Sequence, residues 1–422
     1  MAGLSMLRVV SNDDMGKAEE SRIRSDMEER QNSELILGLA AHVKSCWNPA
    51  RIAKKPIETI MLRALRQRNG EYEADKLSQI KAQGGSEVYM MITEVKCRGA
   101  ESWLRDILLD TGSPPWDLTP TPIPDLGPEQ EEKIKNIFAQ SVIKVLESSG
   151  QAPTIEEMAE LEEVAAQDFR FAVLQEAQNR ADKMKLKISD QFAQGGWADA
   201  FDEFITDMVT YPSAFIKGPV VRRQRVLGYS RASDGTTIVE GTERLGPEYE
   251  RVNPFNIYPE PGITHINEGY IFEHHPMSRS QLADLIGVPG YDEDAVREVL
   301  KIGNGQSWIN EDTKLQEEEQ ERKYYSYESP TETFDALEFW GKVSGKMLLD
   351  WGLSEEDIPD PAKEYDANVW VVGNYVIKAL LNYDPLGEKP YVKTSFIKAP
   401  GAFWGKGIPE IIEDLQNVCN AA

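Results

Sequence analysis

The hydrophobic pattern of this sequence changes period at Tyr211-Pro212. Before this point apolar residues recur at steps of three and four, which is typical of helix faces. After it, short apolar runs bounded by turn residues are typical of strands. Because runs of helices precede runs of strands, the sequence predicts an α+β fold in which small, mostly antiparallel sheets pack against long helices.

Helical spacing predicts five helices before Tyr211. They begin near Leu35, after Pro56, at Pro128, near Ile155 and at Trp197. Pro56 is well placed in the first turn of a helix, so two separate helices are expected on either side of it. The longest pattern runs over residues 155–192, and Gly195-Gly196 separates it from the next helix.

Strands are predicted after Pro212. The segments are residues 214–217, 219–221, 226–229, 236–240, 337–343, 347–352, 368–381 and 390–398. Asp234-Gly235 and Gly373-Asn374 fit two-residue hairpin turns.

Three segments are predicted to be an arm or loops outside the packed core. Residues 1–34 mix charges with few apolar residues, as a mobile or weakly helical N-terminal arm does. Residues 111–128 form a loop because they contain six prolines. Residues 310–335 are polar and acidic, and an exposed loop is expected there.

Composition limits the class of protein. The chain has 422 residues, a formal net charge of −25 and 41% hydrophobic residues, which is too apolar for a disordered chain. Three widely spaced cysteines predict neither a disulfide framework nor a metal site and favour a reducing compartment. No stretch approaches the ~18 apolar residues of a membrane span, so a soluble protein without a membrane partner is expected. The acidic surface argues against wrapping nucleic acid.

Catalytic motifs are weak throughout, and neither a cofactor nor a metal site is predicted. Residues 401–407 (GAFWGKG) resemble a phosphate loop, but only three residues separate Gly401 from Gly405, and Lys406 precedes Gly407 instead of a hydroxyl residue. Ser395 and Lys398 have the Ser-x-x-Lys spacing of some acyl enzymes, yet they lie in a predicted strand. Adjacent His274 and His275 point to opposite sides of a strand and cannot chelate one metal well.

Two basic segments stand out against the acidic background. The first includes Lys54, Lys55, Arg63, Arg66 and Arg68; the second includes Lys217, Arg222, Arg223, Arg225 and Arg231. Such segments commonly pair with acids on a neighbouring element. The functional alternative is contact with an acidic partner or with the backbone of DNA, for which the candidates are Lys54, Lys55, Arg63, Arg66, Arg68, Arg222, Arg223 and Arg225.

Residues near the C-terminal end predict one more helix. Pro409 fits its first turn, and Glu410, Glu413 and Asp414 favour the positive end of its dipole. Its apolar residues form a single stripe. They are Ile411, Ile412, Leu415, Val418 and Cys419. Because no cap precedes Ala422, the final turns are expected to fray unless they dock or continue in a longer chain.

Four segments, in this order, resemble the portal, or head-to-tail connector, proteins of short-tailed and related tailed bacteriophages. They are AFIKGPVV (214–221), RVNPFNIYPEP (251–261), VWVVGNYVIKALLN (369–382) and the stretch from Pro400 to the end. The resemblance implies a wing-like α+β body over residues 35–400 and the start of a stem helix within 401–422, with Pro409, Glu410, Glu413 and Asp414 at the stem start. The clip, second stem helix and crown of that family do not follow, so a fragment is expected.

The same resemblance implies a structural protein rather than an enzyme. Portal proteins form a homo-oligomeric ring, usually a dodecamer, at one capsid vertex of the virion, after assembly in the bacterial cytoplasm. Viral DNA is packaged and ejected through the channel without specific binding. The implied partners are terminase, the major capsid or scaffolding protein and a tail adaptor. The alternatives are a phosphoryl-transfer or hydrolytic enzyme that uses residues 401–407, or a capsid adaptor or scaffold without a channel.

Overall fold

A computed structural model describes residues 12–109, 116–120, 136, 139–140, 143, 155–231, 237–302 and 333–421. Unit 1 comprises Met1–Trp103, Ala200–Pro219 and Glu250–Ala422, and unit 2 comprises Leu104–Asp199 and Val220–Tyr249. Four predicted features lie largely or wholly outside the described residues. Most of the helix predicted from Pro128 and most of the proline-rich loop 111–128 lie outside them, as do the Asp234-Gly235 turn and residues 310–332 of the acidic loop.

Helices and strands follow in an order that confirms the α+β class. The helices are α1 (Asn12–Asn69), α2 (Ala74–Ala82), α3 (Ile92–Leu108), α4 (Ile155–Gln194), α5 (Trp197–Thr210), α6 (Arg279–Ala283), α7 (Glu293–Ile302), α8 (Gly345–Trp351) and α9 (Ile408–Ala421), with a 3-10 turn at Pro254–Asn256. The strands are β1 (Ala214–Arg231), β2 (Thr237–Val252), β3 (Ile257–Pro259), β4 (Ile271–Ser278), β5 (Thr333–Ser344), β6 (Glu364–Val372), β7 (Tyr375–Leu381) and β8 (Tyr391–Thr394).

The strands form two sheets. The larger one has the order β3-β4-β5-β6-β7, and each neighbouring pair is antiparallel. The smaller one has the order β2-β1-β8, and β1 pairs with β8 in antiparallel register, so that Lys217 lies opposite Tyr391. The predicted hairpin turn at Gly373-Asn374 joins β6 to β7, and Gly373 takes the positive φ of 58° that this turn requires.

Both faces of the five-stranded sheet are covered. On one face Leu39, Val43 and Trp47 of α1 pack against residues such as Phe272 and Phe339, and the Trp47 ring lies 5.3 Å from that of Phe272. On the other face α6 and α7 cover one end of the sheet through Leu282, Val296 and Val299. The other end packs against β1, β8 and the loop before α9, where Phe215, Tyr391 and Phe403 join Ile257 and Ile271 in one cluster.

The glycine pair before α5 is confirmed and has a packing reason within unit 2. The carbonyl of Gly195 accepts a hydrogen bond from the amide of Tyr249 at 2.9 Å, and a Cβ on Gly195 would stand 2.6 Å from the carbonyl oxygen of Pro247. Gly196 adopts a φ of +73°. The rings of Phe192 and Trp197 then stack with centroids 5.0 Å apart. Glycine therefore allows the chain to turn where two helices and β2 approach closely.

Helix α1 corrects the prediction of two helices separated at Pro56. It is continuous, has Pro49 and Pro56 inside it, and includes residues 12–34 of the predicted arm. An internal proline costs a helix roughly 3 kcal/mol. Buried side chains on both sides of Pro56 offset this cost, because Trp47 packs on the sheet while Met61 packs with Tyr211 and Phe255.

Two predicted strand segments are also wrong. Residues 345–351 form helix α8, whose first turn is fixed by hydrogen bonds from the amide of Gly345 to Lys363 and from that of Lys346 to Pro361. A short apolar run does not by itself distinguish a strand from a buried helix. Strand β8 ends at Thr394, and beyond it only Ile397 makes a single bridge, to Lys406.

Candidate functional site

A cluster of charged side chains lies buried on the face of the five-stranded sheet that β1 and β8 cover. Alternation along β4 places Glu273 and His275 on this face. His274 points the opposite way, and its Nε2 lies 3.1 Å from a carboxylate oxygen of Asp335. The prediction that the two adjacent histidines diverge is therefore confirmed. His275 instead shares a site with carboxylates that the sequence analysis did not single out.

The other members of the cluster come from three different strands. Glu338 lies on β5 opposite Glu273, and their Cα atoms are register partners. Lys217 of β1 and Tyr391 of β8 face each other in the smaller sheet. We call Lys217, Glu273, His275, Glu338 and Tyr391 the ionic cluster. It joins the two sheets through side-chain contacts.

Both carboxylates of the ionic cluster bind the same ammonium group. Lys217 Nζ lies 2.7 Å from Glu273 Oε2 and also donates to Glu338 Oε2. His275 Nε2 lies 2.8 Å from Glu338 Oε2 and 3.4 Å from Glu273 Oε2, and the Tyr391 hydroxyl donates to Glu273 Oε2 at 2.6 Å. The side chains of Lys217, Glu273 and Glu338 are only 3–7% exposed. Each charge is therefore paired although water is nearly excluded.

Neighbouring polar groups complete the hydrogen bonding of Glu338. Its Oε1 accepts from Trp340 Nε1 at 2.8 Å and from Asn368 Nδ2 at 3.0 Å. The Trp370 ring stacks on the His275 imidazole with centroids 4.6 Å apart. These contacts fix the carboxylate and the imidazole in one orientation, which a buried ion pair requires to offset its desolvation.

The ionic cluster is electrically neutral at neutral pH. Burial alone would raise the pKa of Glu273, but Lys217 and His275 lower it to about 2. Burial would likewise raise the pKa of Glu338, and the same two cations hold it well below its usual range. Burial lowers the pKa of His275, whereas the two glutamates raise it, for a net pKa of about 9. Two negative charges therefore meet two positive charges.

The geometry of Glu273, His275 and Glu338 also meets the first requirement for a metal site. Their ligand atoms all lie within 4.8 Å of one another. The oxygens that would bind a cation are, however, Glu273 Oε2 and Glu338 Oε2, and the ammonium group of Lys217 bonds both. A divalent ion would have to displace the ammonium group of Lys217, which is almost fully buried, from both oxygens. The arrangement favours a structural ion-pair network over metal-dependent chemistry.

Residues of the first basic segment have different surroundings. Lys54 is 1% exposed, its Nζ donates to the carbonyl of Phe255, and it lies 3.7 Å from the centre of the Tyr258 ring. The expectation that Lys54 contacts a partner or DNA is wrong, because its ammonium group is inside unit 1. Arg68 is held by Glu101 at 2.7 Å and Glu94 at 3.2 Å.

Three other residues of that segment lie nearer the surface. Lys55 is exposed. Arg63 and Arg66 line a polar cavity of about 310 Å³ between α1, α2, Tyr89 and α9. Arg63 also forms an ion pair with Glu413 of α9 at 3.1 Å. Contact with a partner stays a prediction for these three.

The second basic segment lies on β1. Lys217 is buried in the ionic cluster, and the exposed Arg222 lies 3.6 Å from Glu248 of β2. Pairing with acids of a neighbouring element is thus confirmed for these two residues. Arg223 and Arg225 lie in β1, and their side chains are outside the described residues.

The glycine-rich segment 401–407 is a packed turn in front of α9. A Cβ on Gly405 would lie 2.4 Å from the carbonyl oxygen of Ile397, and one on Gly407 would lie 2.6 Å from that of Thr210. Lys406 Nζ lies 3.6 Å from Glu410. Gly405 and Gly407 allow backbone segments to pack closely, whereas a Cβ on Gly401 would meet nothing within 4 Å.

Helix α9 docks on unit 1 through its polar side. It begins at Ile408, one residue before the predicted start, and Pro409 is buried. The amide oxygen of Gln416 accepts hydrogen bonds from the backbone and hydroxyl of Thr93 at 3.1 and 3.0 Å. Asn420 accepts from the amide of Met90 at 3.0 Å. Glu413 pairs with Arg63, whereas Asp414 is exposed.

Three of the five residues of the predicted apolar stripe of α9 face outward as a result, whereas Ile412 and Cys419 are half-buried. Ile411 is 46% exposed, Leu415 is 54% exposed and Val418 is 66% exposed, whereas Gln416 is 1% exposed. A helix on a protein surface ordinarily buries its apolar face and exposes its polar one. Helix α9 instead exposes these three apolar side chains and buries the polar Gln416.

The sequence did contain a signal for the ionic cluster. Lys217, Glu273 and Glu338 each lie next to bulky apolar residues within a strand, and Glu273 and His275 are spaced to share one face. A charged residue inside a buried strand requires a partner. Which partner it finds depends on strand pairing between distant segments, and the sequence pattern does not give that pairing.

Comparisons with known proteins add no relative. No protein-family model matches the sequence, and no curated protein is significantly similar to it. Across the described residues, no helix combines the length and the apolar character needed to cross a membrane.

Proposed function

We propose that this chain is a structural protein of the portal class, which assembles as a ring of identical copies at one vertex of a viral capsid. DNA would pass through the ring during packaging and ejection, and terminase, capsid or scaffolding protein and a tail adaptor would dock on it. The virion is then its final location.

The observation that carries the proposal is the outward apolar face of α9. Ile411, Leu415 and Val418 are exposed. Gln416 and Asn420 of the same helix bond to the rest of unit 1. A monomer would keep these side chains in water, whereas a closed oligomer of identical subunits can bury them.

The four segments that resemble portal proteins support the proposal through their placement. The first begins β1, the second spans the end of β2, the 3-10 turn and β3, the third is the β6-β7 hairpin, and the last is the turn before α9 with α9 itself. Three of the four contribute to one apolar cluster, through Phe215, Ile257 and Phe403. They therefore belong to one packed region of unit 1.

Charge supports a channel rather than a DNA-binding surface. A net charge of −25 repels the phosphate backbone, so duplex DNA can move past the protein without being held. We expect DNA binding to be weak and to disappear as salt rises. Replacing Arg222, Arg223 and Arg225 by alanine should remove most of what remains, and tight, sequence-specific binding at physiological salt would contradict the proposal.

Light scattering after size exclusion tests the proposal, together with negative-stain images. We expect a closed oligomer with a central channel. A monomer at micromolar concentration in low and moderate salt would overturn the proposal. An oligomer without a channel would instead favour a capsid adaptor.

The enzyme alternative is tested separately by nucleotide binding. The close packing of Gly405 and Gly407 predicts no saturable binding of ATP with magnesium. Binding that disappears in Lys406→Ala would contradict the structural role.

A further inference from the structure

Two helices of unit 1 turn their polar sides inward, and α3 is the second of them. Thr93, Cys97 and Glu101, spaced four residues apart, are its buried residues. Thr93 accepts a hydrogen bond from Gln67 at 2.8 Å, and Glu101 pairs with Arg68 at 2.7 Å. Helix α3 thus docks on α1 through polar groups, as α9 docks on its own neighbours.

The opposite side of α3 carries exposed apolar residues. Val95 is 65% exposed and Trp103 is 74% exposed. Gly99 lies between them at the same four-residue spacing, and a Cβ there would meet no atom within 4 Å. These three positions share one helix face, which we call the α3 stripe. A tryptophan at its end with a glycine at its centre forms a raised edge beside a shallow depression.

Helix α9 presents a second stripe of similar length. Ile411, Leu415 and Val418 are spaced four and three residues apart and share one face, which we call the α9 stripe. Their partial exposure, from 46% to 66%, leaves three branched side chains in water. Such side chains fit a depression beside an aromatic ring.

Charges beside the two stripes have opposite signs. Along residues 95–103 of α3 the exposed charged residues are Lys96 and Arg98. Along residues 411–418 of α9 the exposed charged residue is Asp414. Pairing two α9 stripes would bring Asp414 against its own copy, and pairing two α3 stripes would bring cations together. Pairing unlike stripes brings opposite charges together, which favours this pairing over both alternatives.

We infer that the α9 stripe of one copy packs against the α3 stripe of a second copy, with Asp414 facing Lys96 and Arg98. The inference rests on the proposed self-assembly and adds the surfaces that meet. Since each copy carries one stripe of each kind, the contact is heterologous and can repeat from copy to copy until a ring closes.

Disulfide trapping between two variants tests which stripes meet. In a Cys419→Ser background, Val95→Cys and Leu415→Cys are introduced into separate copies, which are mixed and oxidised. We expect a cross-linked pair that contains one copy of each variant. Predominant cross-links between two Leu415→Cys copies would overturn the inference.

Charge reversal independently tests the contact of Asp414 with Lys96 and Arg98. Asp414→Lys should shift the oligomer toward monomer, and Lys96→Glu with Arg98→Glu should do the same. Combining all three substitutions should restore assembly, because the signs are again opposite. Failure of the combined variant to assemble better than either partial variant would count against the pairing.

Substitution of an apolar residue, with a matched control, measures how much the α9 stripe contributes to assembly. Leu415→Asp should raise the apparent dissociation constant at least about tenfold, as loss of a central apolar contact does. Leu386→Asp is the control, because Leu386 is 82% exposed and lies in the loop between β7 and β8. It should leave assembly unchanged.

The outcomes separate this inference from the proposed function. A monomeric chain at all concentrations overturns both. An oligomer that Leu415→Asp leaves intact and that gives no Val95–Leu415 cross-link overturns the interface alone. A two-chain dimer with the expected cross-link supports the interface and overturns the ring.

Discussion

Removing Lys217 should destabilise the protein far more than removing any exposed lysine. Lys217→Met keeps most of the side-chain volume but leaves Glu273, Glu338 and protonated His275 with an uncompensated negative charge. The side chains of the two glutamates are 7% and 3% exposed, so water does not screen that charge. Breaking a buried ion pair in this way costs about 3–5 kcal/mol in the free energy of unfolding.

Urea denaturation at one fixed protein concentration measures this cost. With a slope of about 2–3 kcal/mol per molar urea, the midpoint should fall by roughly 1–2.5 M. Lys363→Met is the matched control, because Lys363 is 73% exposed and 3.9 Å from its partner Asp360. It should cost less than about 1 kcal/mol.

A double variant shows whether charge is the cause. Lys217→Met combined with Glu338→Gln leaves Glu273 and protonated His275, whose charges again sum to zero. This variant should be more stable than Lys217→Met alone. Two results would refute the reasoning: a cost for Lys217→Met as small as that of the Lys363 control, or simple additivity of the two substitutions.

Three further predictions follow from other contacts. His275 has a folded pKa of about 9 against an ordinary 6.5, so its stabilising effect of up to about 3 kcal/mol is complete below pH ~6.5 and is lost as pH rises through 9. Denaturation from pH 6 to 9.5 should therefore show a weaker dependence of stability on pH for His275→Gln, and an unchanged dependence would contradict this. Gly407→Ala should lower the free energy of unfolding by roughly 1–3 kcal/mol, because the added Cβ meets the Thr210 carbonyl. Gly38→Ala in α1 should be neutral or stabilising in thermal denaturation, because a Cβ there meets nothing within 4 Å, and equal effects of the two substitutions would disprove the packing argument. Lys54→Ala should lower the melting temperature while exposed Lys55→Ala leaves it unchanged, and the reverse order would show that the burial of Lys54 has been misjudged.

Local sequence signals predicted those elements that local chemistry determines. The Gly373-Asn374 turn forms because glycine supplies a positive φ between two strands of matching alternation. Helix α4 extends from Ile155 to Gln194, two residues beyond its predicted end, and the Gly195-Gly196 break follows at once. In each case the residues that decide the structure lie within a few positions of one another.

Tertiary contacts decided the elements that were mispredicted. Pro56 signals a helix start, yet burial of Trp47 and Met61 keeps α1 continuous through it. The apolar run in α8 fits either a strand or a helix, and hydrogen bonds from the amides of Gly345 and Lys346 to the carbonyls of Lys363 and Pro361 select the helix. The sequence predicts that Lys54 belongs to a basic surface, but α1 packs against Phe255 and Tyr258 so that Lys54 is buried.

The candidate sites also combine features that local sequence predicts with features that tertiary contacts decide. The apolar stripe of α9 was visible as a period in the sequence, but its outward orientation depends on Gln416 finding Thr93, 323 residues earlier. The ionic cluster combines residues from four strands, and no spacing rule connects them.

The ionic cluster also has a consequence for the time course of synthesis. Lys217 precedes Glu273 by 56 residues and Glu338 by 121 residues, so its ammonium group leaves the ribosome long before both partners exist. At a synthesis rate of roughly 5–20 residues per second, that interval lasts about 6–24 s. Until Glu273 has been synthesised, strand β1 cannot bury Lys217 without leaving its charge unpaired, and until Glu338 has been synthesised the ionic cluster lacks its second carboxylate. We expect Phe215 and Ile216 on the same strand to stay accessible to chaperones, or to neighbouring nascent chains, until Glu338 has been synthesised.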